Sequence, residues 1–297
     1  MKLDTSRLRS IASIAALSAC TLASPTSAQT CAHDVAQASE IDMPPPSDRV
    51  SHALWTYAAN YSPQAWRVSL VDGRICADTY KRGDLVGARP AFKAEADGFR
   101  GASRFARVAD GWLVAFNHGE FGAALYWFST DGTRHYRMSE NQLDPQVVDF
   151  FALGDELGAI QGLNHMLVSR GSIIRIVRDT LQDRWRVDTA AQLPAAPYAI
   201  AVTKQGESLV VLSDSLVAFD GGRHVDVLAA DMPWSGLYPT SAVLSPDEKK
   251  LYIGMRQFVG EFDLSTRTLR FLLPSGAMLN RLSKQQEEQI RAGAFRR

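Results

Sequence analysis

The stretch Ser241–Pro274, SAVLSPDEKKLYIGMRQFVGEFDLSTRTLRFLLP, contains four short apolar runs separated by polar segments. The runs are rich in β-branched and aromatic residues, whereas the segments between them are rich in Ser, Pro, Asp and Thr. Segments of the first kind form β-strands, and segments of the second kind form tight turns. The stretch therefore predicts a four-stranded sheet.

The same succession of runs occurs three more times upstream. Measured from Leu113, Leu157, Leu209 and Leu251, the second run of each unit returns after 44, 52 and 42 residues. Four short strands repeating at this interval are typical of an all-β fold, the β-propeller, in which each repeat forms one blade around a central channel. A pair of β-sandwiches is the alternative with a similar strand density.

A fifth blade is expected within residues 50–100. There AWRVSLVDGRICADTY (Ala65–Tyr80) predicts an outer hairpin that turns at Asp72-Gly73. Strands from the two ends of the chain could combine to close the ring. We therefore predict a propeller of about five or six four-stranded blades.

The last repeat resembles blades of the TolB-type and YVTN-type propellers of exported bacterial proteins. Ser245-Pro246-Asp247 in the turn, Lys250-Leu251-Tyr252 at the start of the next strand and Phe262-Asp263 at the end of the third strand carry this resemblance. It implies the architecture and does not imply an activity, because propellers host many unrelated functions.

The N-terminal segment has the pattern of an export signal. A short basic region precedes the apolar run SIASIAALSACTLA, and small residues follow Pro25. We place cleavage after Ala28, which makes 1–28 a signal peptide; the alternative is a lipoprotein signal that ends in LSAC, with Cys20 as the lipidated residue. Both interpretations predict a periplasmic, secreted or lipid-anchored envelope protein without a transmembrane span.

The remaining chain divides into three parts. Residues 29–50 form a polar, proline-rich arm with Pro44 to Pro46, residues 51–280 form the propeller, and residues 281–297 form a helical tail. In this tail Ser283 and Gln286 have the spacing of a capping box. Two cysteines remain after export, and we expect Cys31 and Cys76 to form a disulfide that ties the arm to the body.

The charge of the chain argues against nucleic acid as a partner and does not indicate any other class of partner. The chain has 32 basic and 32 acidic residues and no basic stripe, which argues against nucleic-acid binding. We expect a monomer that binds an unknown envelope protein or a small ligand, without a cofactor.

The loops between the second and third strands of each blade lie on the same face as the blade connections, so their polar residues should converge there. The candidate binding residues from the loops and from two connections are Asn117, His118, Glu120, Asn164, His165, Asp214, Arg256, Gln257, Tyr198, Trp234 and Tyr238. Of the six tryptophans, Trp234 is expected to be exposed, because its connection is rich in Pro and Gly. Trp127 is expected in the core.

Catalytic and metal motifs are weak. The chain has no Gly-x-Ser-x-Gly, phosphate loop or dinucleotide fingerprint. Two histidines with Glu120 or Asp214 could ligate a divalent metal, but Asn-His pairs also suit simple turns, and we predict no metal. The sequence therefore favours a non-catalytic binding propeller. The alternative is a hydrolase or lyase with His118 and Glu120 or Asp214 as its acid–base pair, with or without a metal.

Overall fold

The computed structural model describes residues 30–81, 83–84, 87–139, 144–166, 168–222 and 224–294. The predicted signal peptide at 1–28, Cys20 and the last three residues of the tail lie outside this part. The described residues form two α-helices, α1 (Arg49–Asn60) and α2 (Lys284–Ala294), and twenty strands. The strands are β1 (His33–Asp34), β2 (Ser39–Ile41), β3 (Trp66–Val71), β4 (Arg74–Thr79), β5 (Arg104–Val108), β6 (Gly111–Asn117), β7 (Ala123–Ser129), β8 (His135–Met138), β9 (Val147–Leu153), β10 (Glu156–His165), β11 (Val168–Asp179), β12 (Arg184–Leu193), β13 (Pro197–Val202), β14 (Ser208–Leu212), β15 (Leu216–Phe219), β16 (Val225–Ala229), β17 (Ser241–Leu244), β18 (Lys250–Gly254), β19 (Val259–Asp263) and β20 (Thr268–Leu273).

These strands form five antiparallel sheets in the described part of the chain, which confirms the β-propeller. Blade 1 consists of β3 and β4 with β1 at its edge, and blades 2, 3 and 4 consist of β5–β8, β9–β12 and β13–β16. Blade 5 consists of β17–β20 with β2 at its edge. The first strands β5, β9, β13, β17 and β3 lie side by side in that order and are therefore the innermost strands of their blades.

The N-terminal arm joins two blades instead of hanging free. Strand β1 pairs with β4 of blade 1, and β2 pairs with β20 of blade 5. Cys31 forms the predicted disulfide with Cys76 in β4. Ends of the chain thus contribute to closure as expected, but they leave one three-stranded and one five-stranded blade.

The hairpin β3–β4 turns at Asp72 and Gly73, both with positive φ, as a type I′ turn requires. Its predicted outer position is wrong. Strand β3 lies innermost, where the Trp66 amide donates to the Met255 carbonyl (3.0 Å) and the Val68 amide donates to Ser241 Oγ (2.8 Å) of blade 5. The sequence pattern identified the hairpin but could not reveal that β1 occupies the outer edge.

Buried apolar side chains fill four seams between blades. One cluster joins blades 2 and 3, where Trp127 is buried as predicted, and others join blades 3 and 4, blades 4 and 5, and blades 5 and 1. Blade 2 packs its other face against residues 92–102. Among the described residues, blades 1 and 2 share no such cluster.

Helix α1 was not expected from the sequence. Asp48 caps it by accepting a hydrogen bond from the Ser51 amide (3.1 Å). Trp55 stacks on Phe258 of blade 5, with ring centroids 5.0 Å apart, and Ala59 is buried in the cluster of blades 4 and 5. The helix therefore depends on tertiary packing more than on its own short periodic pattern.

Helix α2 confirms the predicted C-terminal helix and its capping box. The Gln286 amide donates to Ser283 Oγ (3.3 Å), and the Ser283 amide donates to Gln286 Oε1 (2.9 Å). The helix packs against α1. Within the described ranges, no helix is long and apolar enough to cross a membrane.

Candidate functional site

The two faces of the propeller differ in which connections they carry. In an antiparallel four-stranded blade, the loop between the second and third strands leaves the sheet at the same end as the connection to the next blade. We call this side the loop face. The other side carries the first-to-second and third-to-fourth turns, and we call it the turn face. Helix α1 precedes β3 and therefore also lies on the loop face.

A contact between a carboxylate of blade 2 and an imidazole of blade 3 lies on the loop face. Glu120 lies in a single 3-10 turn between β6 and β7, and His165 is the last residue of β10. Glu120 Oε2 lies 2.6 Å from His165 Nε2, with the two side chains 42% and 37% exposed. Phe121 and Met166 follow them in sequence and are 84% and 89% exposed. The polar pair is therefore flanked by two projecting apolar side chains.

The predicted pair of His118 and Glu120 is not assembled in this geometry. His118 Nε2 lies 2.9 Å from the Arg100 carbonyl oxygen, whereas Glu120 pairs with His165. Asn117 is occupied in holding the loop, because its Oδ1 accepts from the Gly119 amide (3.0 Å) and its Nδ2 donates to the Val147 carbonyl (3.1 Å). Gly119 has a φ of +65°, which suits glycine in this turn.

A second group of predicted residues does come together, across blades 3, 4 and 5. Asn164 Nδ2 donates to Tyr198 Oη (2.9 Å), and the Tyr198 ring meets the Tyr238 ring edge to face at 6.4 Å. The Arg256 guanidinium lies over Tyr238, 4.7 Å from the ring centroid. Its Nη1 donates to the carbonyl (2.7 Å) and to Oδ1 (2.9 Å) of Asn60 at the end of α1.

Tyr198, which lies at the centre of this group, is uncharged. Burial raises the pKa of Tyr198, and the hydrogen bond from Asn164 opposes that shift only in part. The phenol therefore stays protonated at neutral pH and remains able to donate a hydrogen bond. Together with the Glu120–His165 pair, the group makes a polar and aromatic line across the loop face.

Besides Asn117 and His118, three predicted residues do not join this line. The expectation that Trp234 is exposed is wrong: it is 0% exposed, and its Nε1 donates to the Leu212 carbonyl (2.9 Å). Gln257 is 1% exposed, and its Nε2 donates to the Met278 carbonyl while its Oε1 accepts from the Asn280 amide. Asp214 is exposed and accepts from its neighbour, Ser215 Oγ (3.0 Å). Trp234 and Gln257 therefore pack and position the connections.

Burial of Trp234 has a simple physical reason. The Pro- and Gly-rich connection between blades 4 and 5 folds inward over the apolar cluster that these two blades share. A large indole gains more from packing there than from exposure, provided that its N–H finds an acceptor. Composition of the connection could not reveal that acceptor, which lies 22 residues away in sequence.

Exposed apolar side chains are concentrated on the loop face. Of the eleven large hydrophobic residues that are exposed in the described part of the chain, only Leu70, Leu181 and Val227 lie elsewhere. The eight on the loop face are Tyr57, Tyr61, Phe121, Met166, Val168, Tyr238, Met278 and Leu279. Exposed apolar side chains that are grouped on one surface often mark an interaction site, whereas single exposed apolar side chains are common on any protein.

Sequence reasoning missed the part of this surface that the helices provide. Tyr57 and Tyr61 of α1 line a cavity of 400 Å³ together with Gln286, Gln289 and Ile290 of α2. The available signal was Asp48, an N-cap residue that follows three prolines and precedes apolar residues at helical spacing.

The structure shows which of the potential metal ligands lie near one another. In the ranges that the structure describes, no three His, Cys, Asp or Glu side chains lie close enough together to hold a metal ion. Glu120 and His165 contact each other. Asp214, the other candidate ligand, accepts a hydrogen bond from Ser215 instead.

Comparisons with known proteins return propellers of several kinds. No family model matches the chain, and no curated protein matches its sequence. Among solved structures, a gluconolactonase from Xanthomonas campestris is similar with 15% identity and a TM-score of 0.38, over 64% of this chain and 61% of the gluconolactonase. Virginiamycin B lyase from Staphylococcus aureus is similar with 11% identity and a TM-score of 0.44, over 72% of this chain and 71% of the lyase. YCF48 bound to D1 peptide has 11% identity and a TM-score of 0.40, over 72% of this chain and 68% of YCF48.

Proposed function

We propose that this protein is an exported, non-catalytic β-propeller that binds a protein partner of the cell envelope through its loop face. One observation carries the proposal: eight of the eleven exposed large hydrophobic side chains of the described residues lie on this face. A protein surface is the partner whose chemistry matches, because binding would bury these groups around a few polar contacts.

The best-defined part of the interface lies at blades 2 and 3. Phe121 and Met166 project on either side of the Glu120–His165 pair. Aromatic and methionine side chains are enriched in the buried centres of protein interfaces. The line from Asn164 to Arg256 would supply the polar rim, with Tyr238 accessible to a partner.

Support for export comes from the sequence and from the disulfide. The N-terminal pattern is that of a signal peptide, and the bond between Cys31 and Cys76 suits an oxidising compartment. Periplasmic or secreted localisation, with a lipid anchor at Cys20 as the alternative, is part of this proposal.

The alternative, a hydrolase or lyase that uses His118 with Glu120, has less support. These side chains bond to different partners, Arg100 and His165. Proton transfer by a catalytic pair requires its two groups to share one reacting site. Turnover on a substrate panel that disappears in His118→Ala, with folding intact, would favour this alternative over the binding role.

The binding role is tested by differential capture. The tagged mature protein is used to purify partners from envelope extracts, alongside Phe121→Ser/Met166→Ser and the matched control Leu181→Ser/Val227→Thr, whose changes lie off the loop face. We expect a partner that wild type and control retain and that the Phe121/Met166 variant binds at least about tenfold more weakly. Equal capture by all three proteins would contradict the proposal.

A further inference from the structure

A cavity of about 280 Å³ opens on the turn face, at the seam between blades 2 and 3. Its walls include Asp110 from the first-to-second turn of blade 2 and Asp183 from the third-to-fourth turn of blade 3. The full lining comprises Asp110, Trp127, Arg134, His135, Tyr136, Arg178, Asp183 and Arg184. Its volume is close to the lower end of the range for small-molecule sites, about 300–1,000 Å³. The cavity therefore has room for a small ligand.

Both carboxylates of this cavity are paired with a single arginine. Arg178 Nη1 donates to Asp110 Oδ2 (2.7 Å), and Arg178 Nη2 donates to Asp183 Oδ1 (2.5 Å). Asp110 also accepts hydrogen bonds from the indoles of Trp127 and Trp185. The two negative charges are thus directed at Arg178 and not at the other arginines of the cavity.

Arg134 and Arg184 contact aromatic rings instead of carboxylates. The guanidinium carbon of Arg134 lies 5.7 Å from the centroid of the Trp127 ring, and that of Arg184 lies 4.2 Å from the centroid of the Tyr136 ring. The two rings stack on each other with their centroids 5.1 Å apart. Within the described ranges, neither guanidinium forms an ion pair with a carboxylate. Three arginines therefore face two carboxylates in this cavity, and two of the three positive charges have no anionic partner.

Tyr136 adds a hydrogen-bond donor to the same wall. Its Oη accepts from the Trp185 amide (2.6 Å). Burial raises the pKa of Tyr136, so the hydroxyl keeps its hydrogen at neutral pH. In the part of the chain that the structure describes, no acceptor takes this hydrogen. Because a phenol can accept one hydrogen bond and donate another, the hydroxyl can donate to a ligand in the cavity.

We propose that this cavity binds an oxyanion, the phosphate or carboxylate group of a small molecule, through Arg134, Arg184 and the Tyr136 hydroxyl. Guanidinium groups match both kinds of oxyanion because their N–H donors lie in a planar fork. A bound anion would supply the counter-charge that the two arginines lack. The site lies on the turn face and does not depend on partner binding through the loop face.

Calorimetric titration of the mature protein tests this site, with inorganic phosphate and citrate as separate probes at low salt. We expect at least one probe to bind with a Kd of about 1 mM or lower, and we expect Arg184→Gln to weaken that binding about tenfold. Arg67→Gln is the matched control and should bind like wild type, because Arg67 stacks over the Tyr80 ring in the same way (5.0 Å) but belongs to blade 1. Binding of phosphate alone would identify a phosphate site, and binding of citrate alone would identify a carboxylate site.

Further variants separate the donors and give the proposal a sign. Tyr136→Phe keeps the ring under Arg184 but removes the hydroxyl, and it should bind the anion several-fold more weakly. Asp183→Asn should strengthen binding, because it removes a negative charge from the cavity. Anion should raise the melting temperature of wild type and Arg67→Gln more than that of Arg184→Gln, whose own melt without anion reports whether it is folded. Absence of binding by both probes, equal affinity of wild type and Arg184→Gln, or equal losses in Arg184→Gln and Arg67→Gln would overturn the proposal.

Discussion

The loop face and the turn face of this propeller differ in how their large apolar and aromatic side chains are placed. On the turn face, Asp110 accepts hydrogen bonds from the indoles of Trp127 (3.0 Å) and Trp185 (2.8 Å) and pairs with Arg178 (2.7 Å). Aromatic side chains there are held inward by polar partners of the same face. On the loop face, Phe121 and Met166 project outward beside the Glu120–His165 pair.

Local turns repeat this contrast. Ser129 Oγ donates to Asp131 (2.6 Å), Ser245 Oγ donates to Asp247 (2.7 Å) and Ser265 Oγ donates to Asp263 (2.6 Å), so three turns of the turn face satisfy their own polar groups. On the loop face, the contacts from Asn164 to Tyr198 and from Glu120 to His165 run between blades, beside local bonds such as that from the Gly119 amide to Asn117. We therefore expect the turn face to contribute more to stability than the loop face, through which we propose that the protein binds its partner.

The largest effect is expected from Asp110→Ala on the turn face. Two indole N–H groups and Arg178 would lose their acceptor, and we expect a loss of about 2–3 kcal/mol in the free energy of unfolding. Urea denaturation measures this change. Asp226→Ala is the control, because its pair with His224 is mostly exposed, and it should cost less than about 0.5 kcal/mol. Equal losses in both variants would remove the distinction between an anchoring and a solvated carboxylate.

A smaller effect is expected from acid. Hydrogen bonds from Ser129 and Thr133 lower the pKa of Asp131 to about 2, and those from Ser265 and Thr266 lower the pKa of Asp263 to about 2. Because both values lie below the ordinary value of 3.8, these groups stabilise the fold fully above pH ~4 and lose that contribution as the pH falls towards 2.

Thermal melts at a series of pH values from about 5 down to about 2 test this acid sensitivity. Asp131→Asn/Asp263→Asn should lose less stability over that range than wild type. Asp155→Asn, an exposed carboxylate in another turn, should follow the wild-type profile. If the double variant is as sensitive to acid as wild type, the turn-face carboxylates do not contribute as argued.

The smallest effect on stability is expected from Glu120→Gln on the loop face. Both members of the Glu120–His165 pair are more than one-third exposed, and such pairs contribute about 0–1 kcal/mol. The unfolding free energy should therefore change by less than about 1 kcal/mol. A loss comparable to that of Asp110→Ala would make this pair part of the stabilising framework and would weaken the contrast between the faces.

Sequence predicted the features that depend on local pattern. The repeat interval identified the propeller, Asp72-Gly73 identified a hairpin, and the spacing of Ser283 and Gln286 identified a helix start. The cysteine count predicted the disulfide. Each of these signals is contained within a repeat, a turn or a residue count, so no knowledge of distant contacts was needed.

Features that depend on distant contacts could not be predicted in this way. Trp234 is buried where its indole N–H reaches the Leu212 carbonyl. Strands β1 and β2 form by pairing with the edge strands β4 of blade 1 and β20 of blade 5. For the candidate site, the loop positions predicted which residues share the loop face, and the binding role of that face stays a prediction. They could not indicate that Glu120 pairs with His165, since these residues belong to different blades.

Site-specific photo-crosslinking tests the central claim most directly. A benzophenone amino acid replaces Phe121 on the loop face or Leu181 on the turn face, in the protein expressed in its native host. We expect the probe at position 121 to form a discrete crosslinked species with a partner and the probe at position 181 to form none. A crosslink from position 181 alone, or identical crosslinks from both positions, would contradict recognition through the loop face.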